Sequence, residues 1–316
     1  MPGPPVETAA VRLAVRRCLT DVPAGAPVAA AVSGGSDSLA LAAALAKTRP
    51  GSLALVVDHA LQAGSRAVAE RAAEQCAGLG LSSHVLIPSA GAGGPESGGP
   101  ENRARRLRYA ALSSAVRQHC LAAVLLGHTR DDQAETVLLA LARGSGARSL
   151  AGMAAVRGPY RRPLLALERS TTRRACAQAG LSAWDDPHND DPAFARVRVR
   201  TAALPALEAA LGPGIAAALA RSAEQLREDA DALDARTPDL PVEPACAAVL
   251  ALIPALRTRA LKRWAEREAG VALSSAHVRS LRALVEDWRG QGPTWLPAGA
   301  RVERRDGRLA CRRDLG

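Results

Sequence analysis

The sequence predicts an α/β protein, a parallel sheet with helices on both faces, followed by a smaller C-terminal α+β domain. Three observations carry that prediction. Apolar runs of strand length alternate with helix-length stretches through the first half of the 316 residues. A loop rich in glycine and serine, Ser33 to Ser38, joins the first run to an alanine-rich helical pattern. Near residue 212 the texture changes to a long charged helical pattern, and the chain closes on a hairpin signal.

The elements follow in order. "PVAAAV" (27–32) is a short apolar run that ends at the loop. "LALVVDHAL" (53–61) has the β-branched centre of a buried parallel strand, and "SSHVLIP" (82–88) and "LAAVLLGH" (121–128) repeat it. The stretches 64–80 and 101–119 have helix length, which makes βαβ units. The tract "PSAGAGGPESGGPE" (88–101) reads as a loop, either a disordered spacer or a lid over the site. "GIAAALARSAEQLREDADALDA" (214–235) is the long helix, and the breaker "RTPDLPVEP" follows it. Helical stretches over 245–269 and 275–289 come next, then "RVERRDGRLACRR" with Asp306-Gly307 as its turn. The expected organisation is a large domain over 1–212, a connecting helix and linker over 213–240, and a small domain over 241–316.

The chain is 48% hydrophobic and 23% charged, which fits an ordinary globular protein. Much of the apolar share is alanine and aromatics are only 2%, so the expected core is Leu, Val and Ala. Lysine occurs only at Lys47 and Lys262, a usage that a GC-rich genome would produce; the surplus of 41 basic over 31 acidic residues is the informative part. A net charge of +10 points to a polyanionic partner. The six cysteines contain no C-x-x-C pair and read as reduced, structural thiols. The N-terminus has no apolar h-region, and no run reaches the ~18–20 apolar residues of a membrane span. The expectation is a cytoplasmic protein with no membrane partner. The sequence leaves the oligomeric state open, a homodimer being one arrangement it allows.

The loop "SGGSDS" stands at the carboxyl end of a strand and opens a helix, where open α/β sheets bind ligands. Helix N-termini offer unpaired N–H groups and a positive dipole end. Gly34 and Gly35 remove the Cβ atoms that would hold the backbone away from phosphate, and Ser33, Ser36 and Ser38 add hydroxyls. A Walker A loop requires a lysine, and none is present. Asp37 has two readings. It is an N-cap or first-turn acid favoured by the dipole, or it faces a Mg²⁺ that bridges it to the polyphosphate.

S-G-G-x-D-S after a first strand resembles the PP-loop of the N-type ATP pyrophosphatases. Further motifs narrow the likeness. "VVDHAL" puts Asp58 and His59 at the end of the second strand; "ENRARRLRY" (101–109) sets Arg105 and Arg108 on one helix face, with Glu101 a turn before. "LGHTRDDQAETVLLALARGSG" (126–146) ends a strand at His128 and places Asp131, Asp132 and Glu135 in the first turns of the next helix. "RRPLL" (161–165) and "WDDPHNDDPAFARVRVR" (184–200) complete the set. Singly, each has a structural explanation: dipole partners, a solvated arginine face, a strand-end histidine. In this order over residues 28–207 they resemble the tRNA(Ile)-lysidine synthetase family, and the C-terminal "LSSAHVRSLRALV" with its hairpin resembles the small tRNA-binding domain of the shorter members.

The resemblance implies a PP-loop ATPase fold and an AMP-forming carbon–nitrogen ligase. ATP, with Mg²⁺, adenylylates the oxygen on carbon 2 of the wobble cytidine of an isoleucine tRNA with a CAU anticodon. The ε-amine of free L-lysine then displaces AMP and leaves lysidine. By motif match, Ser33, Gly34, Gly35, Ser36, Asp37 and Ser38 would hold the phosphates, with Asp58 and His59 lining the nucleotide pocket. Asp37, Arg105, His128, Asp132 and Glu135 would be catalytic. Arg108, Asp131, Arg196, Arg198 and Arg200 would contact substrate. Two departures stand out: the family often shows R-N-R-I-R where this chain has Arg196-Val197-Arg198-Val199-Arg200, and Gln62 replaces a common basic residue.

The charge fits a tRNA partner. Residues 143–200 carry eleven arginines against five acids, and 301–316 six against three. Scarce aromatics argue against a stacking surface of the single-strand-binding type. Two rival readings share some of these motifs. A PP-loop tRNA thiolase would usually need paired or catalytic cysteines, and an RNA chaperone without chemistry would have no use for acids clustered after the fourth strand.

Overall fold

The computed structural model describes residues 3–58, 64–88 and 99–313. His59, Gln62, the side chain of Glu101 and most of the 88–101 tract lie outside the described residues. The chain divides into two compact units, residues 1–144 with 152–223, and residues 145–151 with 224–316.

The first unit is built on a six-stranded sheet of order β3-β2-β1-β4-β6-β5. Its strands are β1 (Val28–Val32), β2 (Leu53–Val57), β3 (Ser82–Leu86), β4 (Ala123–Leu126), β5 (Val156–Arg157) and β6 (Tyr160–Arg161). Around them run α1 (Val6–Cys18), α2 (Ser36–Thr48), α3 (Ser65–Gly78), α4 (Gly99–Gln118), α5 (Arg130–Ala142) and α7 (Arg169–Gln178); α6 (Ala147–Leu150) is a single turn of the second unit. β1 pairs in parallel with both β2 and β4: Ala30 stands opposite Ala54 on one side and Leu125 on the other. All four residues of β4 are buried, as a strand covered on both faces requires. Leu39, Leu41 and Leu45 of α2 are fully buried in the core.

The sheet departs from the expectation at one edge. β6 continues the parallel run beside β4, but β5 is antiparallel to it through a turn in which Gly158 takes φ +56°. Two-residue strands have no periodicity to announce them in sequence.

The order of the strands locates the site. The chain moves outward from β1 through β2 to β3, then returns to place β4 on the other side of β1. The crevice where the direction reverses lies at the carboxyl ends of β1 and β4, the usual ligand position in such sheets. The PP-loop leaves β1 there, and His128 with the start of α5 leaves β4.

After α7 the first unit continues through α8 (Ala195–Arg198), a π-helical turn (Val199–Ala203), α9 (Leu204–Leu211) and the start of α10 (Ile215–Arg236). The second unit packs α11 (Cys246–Leu250), α12 (Pro254–Ala269) and α13 (Ser275–Glu286) with the antiparallel sheet of β7 (Thr294–Trp295), β8 (Ala300–Arg305) and β9 (Arg308–Arg313). The helical stretch expected over 245–269 is two helices, because Pro254 suits a helix start and not an interior. Trp264 is fully buried in this core, and its indole donates to the Val242 carbonyl at 3.0 Å. Asp306 (φ +46°) and Gly307 (φ +74°) turn the β8–β9 hairpin, which explains the Asp-Gly pair. Among the described residues, no single helix is long and apolar enough to cross a membrane.

Candidate active site

The loop after β1 is braced from within. Ser38 Oγ accepts the Ser33 N–H at 3.1 Å and donates to the Gly35 carbonyl at 2.8 Å. Gly34 has φ +85°, a left-handed conformation that an L side chain adopts only with strain, and its carbonyl accepts the Trp184 N–H at 2.9 Å. Helix α2 begins at Ser36 with Gly35 in the capping place, so Asp37 is a first-turn acid and not the cap. From the other side, Gly127 ends β4 so close that an added Cβ would lie 3.2 Å from backbone atoms of Asp37 and Ser38. A glycine at that strand end lets the phosphate loop and the β4 exit share one small volume.

Asp37 is held from α7. The Thr172 hydroxyl, on a fully buried residue, donates to Asp37 Oδ1, and Arg169 Nε stands 3.7 Å from Oδ2. Burial pushes the Asp37 carboxyl above its ordinary range, and Thr172 and Arg169 only partly offset that effect.

Arg169 is the hub of the acid cluster. Its Nη2 donates to Asp132 Oδ1 at 2.7 Å, and Nη1 and Nη2 reach Glu135 Oε1 at 3.2 and 3.3 Å. Asp132 Oδ2 accepts the backbone N–H and the hydroxyl of Thr129 at 2.8 and 2.9 Å, closing the first turn of α5. Burial opposes the charged form of Asp132, but Arg169 and the Thr129 hydrogen bonds outweigh it and hold the carboxyl below its usual range. Glu135 is fully buried and takes Arg200 Nε on Oε1 at 2.7 Å, with Arg200 Nη2 and Arg196 Nε on Oε2 at 3.2 and 3.5 Å. Asp131 accepts the backbone N–H of Arg169 at 2.9 Å. It supplies an acceptor and a negative charge to the N-terminus of α7, whose own cap residue, Glu168, makes no side-chain cap.

A cationic wall faces the cluster. His128 Nδ1 is buried with no hydrogen-bond partner. Burial pushes its pKa well down, with Arg162, Arg105 and Arg108 adding to the fall and Asp132 opposing it, so the imidazole is neutral. The Arg105 guanidinium lies 5.2 Å from the centre of the Tyr109 ring, and the Tyr109 hydroxyl accepts Arg162 Nη2 at 3.1 Å. Arg108 is pushed below its ordinary value by burial and by Arg105.

The structure therefore brings Asp37, Asp132, Glu135, Arg196 and Arg200 into one network, with His128, Arg105 and Arg108 beside it. Asp58 is buried at the end of β2. Arg198 is exposed and donates to the carbonyls of Pro192 and Ala193, bracing the preceding loop. Two site residues, Arg169 and Thr172, lie outside every motif legible in the sequence, while Gly127 and Arg162 stand inside such motifs without a role assigned to them. Thr129 was legible in principle, because Thr-x-x-Asp before an apolar run is a capping-box signature.

A phosphate loop without lysine, set at the switch point of a 3-2-1-4 parallel sheet, defines a PP-loop protein. The PP-loop domain model accordingly matches residues 10–207, and a model described as the TilS substrate binding domain matches residues 245–310. The chain is 51% identical to the tRNA(Ile)-lysidine synthase of Leifsonia xyli over 90% of its length and 89% of that protein. It is 49% identical to that of Thermobifida fusca, covering 99% and 100%, and 48% identical to that of Streptomyces coelicolor, covering 98% and 99%. The chain belongs to the tRNA(Ile)-lysidine synthase family. Among solved structures, the U34-tRNA thiolase NcsA from Methanococcus maripaludis shares the fold, with a TM-score of 0.58 at 20% identity over 70% of this chain and 80% of that one.

Proposed function

We propose that this chain joins free L-lysine to carbon 2 of the wobble cytidine of the CAU-anticodon isoleucine tRNA, in two steps and in the cytoplasm. The observation that carries the reading is one connected network. It runs from a lysine-free phosphate loop, through Asp37, to a pair of carboxylates on the neighbouring strand-end helix.

In the first step the cytidine O2 attacks the α-phosphorus of ATP, the α–β bridge breaks, and pyrophosphate leaves with the electron pair. The loop N–H groups at the start of α2 receive that developing charge, and the absence of Cβ atoms at Gly34 and Gly35 opens the backbone to it. Among the described residues no set of three or more His, Cys, Asp or Glu side chains is placed to hold a metal. A Mg²⁺ carried by polyphosphate needs only one or two protein carboxylates, and Asp37 at the loop fits that need. Such an ion would neutralise the departing pyrophosphate.

In the second step the lysine ε-nitrogen bonds to carbon 2, and the C2–O bond breaks so that AMP departs with the former base oxygen. The ammonium must first surrender a proton. Asp132 and Glu135, one turn apart on α5, supply the negative charge that attracts it and a carboxylate that accepts the proton. His128, held neutral, can offer a hydrogen bond to base or nucleotide without adding to the positive charge of Arg105, Arg108 and Arg162.

The thiolase alternative requires a reactive sulfur. Cys176 is the cysteine associated with this site, one turn beyond Thr172, but it is packed in the core and burial pushes its thiol to about 11. A thiol so rarely ionised is a poor nucleophile.

The test is direct. Protein, unmodified tRNA, ATP and labelled lysine are incubated together, and the label is expected in the RNA with one AMP and one pyrophosphate released per lysine. Label that stays in free lysine while ATP is consumed would refute the ligation.

A further inference from the structure

Helix α7 touches both halves of the site. Arg169 and Thr172, three residues apart, project from the same face of its first turn. Their side-chain hydrogen bonds divide between the two halves. Thr172 donates to Asp37 Oδ1 and otherwise bonds only its own helix, at the Arg169 carbonyl (2.8 Å). Nη1 and Nη2 of Arg169 point the other way, to Asp132 and Glu135 at 2.7–3.3 Å, while its Nε approaches Asp37 at a longer 3.7 Å. Asp132 and Glu135 repel one another as neighbours on one helix face, and a planar fork between them offsets that repulsion and fixes their separation. The helix is itself registered against α5, because Asp131 accepts the Arg169 N–H and the Arg130 N–H donates to the Leu167 carbonyl at 2.8 Å.

We infer that the first turn of α7 is a positioning element for both half-reactions: Thr172 orients the Asp37 carboxylate for the nucleotide step, and Arg169 sets the Asp132–Glu135 pair that receives the amine. This rests on the ligation reading given above. Neither residue touches a reacting atom, so each acts through the carboxylates it holds. A lysine at 169 keeps the charge but not the fork, and a valine at 172 keeps the shape but not the hydroxyl.

The experiment uses the full chain and separates the half-reactions. Exchange of labelled pyrophosphate into ATP, dependent on tRNA and run without lysine, reports the first. The lysine KM and kcat of complete turnover report the second. Thr172→Val is expected to slow exchange by roughly tenfold or more with the lysine KM within about twofold of the parent, and Thr172→Ser to restore most of the loss. Arg169→Lys is expected to raise the lysine KM by roughly tenfold with exchange within about threefold. Melting temperatures and tRNA affinity are measured alongside, and these conservative variants avoid stripping Asp132 of its arginine as Arg169→Ala would. Equal loss of both half-reactions in both variants, or a parental lysine KM in Arg169→Lys, overturns the inference. Failure of the unaltered chain to transfer lysine would instead overturn the ligation, and is read before either variant is assayed.

Discussion

His128 shows how a single side chain can be set for function at a cost to stability. Burial, reinforced by Arg162, Arg105 and Arg108 against the pull of Asp132, holds it neutral far below the ordinary histidine value of 6.5. An unfolded chain takes up a proton on this residue as pH falls through about 6.5, and the folded chain does not. The folded state is therefore penalised progressively as pH drops from about 6.5. By pH 5 the penalty is about 2 kcal/mol, taking 1.36 kcal/mol per unit over roughly 1.5 units. His128→Asn is expected to flatten this limb, so that the difference in unfolding free energy between variant and parent changes by about that amount between pH 7 and pH 5. Denaturant titrations at the two pH values measure it, and parallel limbs in the two proteins would show that His128 is protonated normally. Asp132 adds to acid sensitivity only further down: its carboxyl is held below the ordinary 3.8, so the stability it contributes is lost as pH falls beneath that value.

At the scale of elements, α5 is held by opposite charges supplied from α7, from α8 and from the π-helical turn that follows it. Glu135 is fully buried and meets Arg169, Arg196 and Arg200, so Glu135→Ala leaves three guanidiniums facing one another. Breaking a buried pair from one side costs about 3–5 kcal/mol, and Glu135→Ala is expected near that range in denaturant unfolding. A cost below about 1 kcal/mol would mean that the arginines find solvent. Four strands of the sheet, β1 to β4, were legible in sequence because short apolar runs between helix-length spacers have few other uses, whereas the two-residue β5 and β6 were not. The loop after β1 and the acids of α5 were legible because they are local: each is a few residues with its own spacing. Arg169 and Thr172 were not, since "RSTTRRACAQ" reads as a solvated arginine face and the Thr172–Asp37 contact spans 135 residues of chain. Nothing within a window of ordinary helix length could reveal it. Arg196 and Arg200 were found by motif, but their shared partner, Glu135, lies more than 60 residues upstream.

For the whole molecule, the positive charge is expected to serve in holding tRNA. Arg305 and Arg312 are 61% and 54% exposed and both pair with Glu303 on β8, which leaves them within reach of a phosphate backbone. Replacing both by alanine is expected to weaken tRNA binding. It should also lower the slope of log affinity on log salt by roughly 1.4–1.8, at 0.7–0.9 per lost contact. An unchanged slope would mark this hairpin as an ordinary solvated surface. The seven residues 145–151 carry a different kind of consequence. They follow α5 directly, yet group with the second unit, where Arg148 pairs with Asp231 and Asp234 and the Ala151 carbonyl accepts Arg227. Two residues later the chain is back on α5, with the Met153 N–H donating to the Gln133 side chain at 2.8 Å. The two units are therefore interleaved along the gene and not laid end to end. A recombination event that exchanged the C-terminal third for a foreign one would leave this turn behind, matched to arginine and aspartate partners that had gone. Inheritance of the second unit as a portable module is thereby hindered, and a chimaera of two such enzymes has to carry the turn across with the helix it answers to.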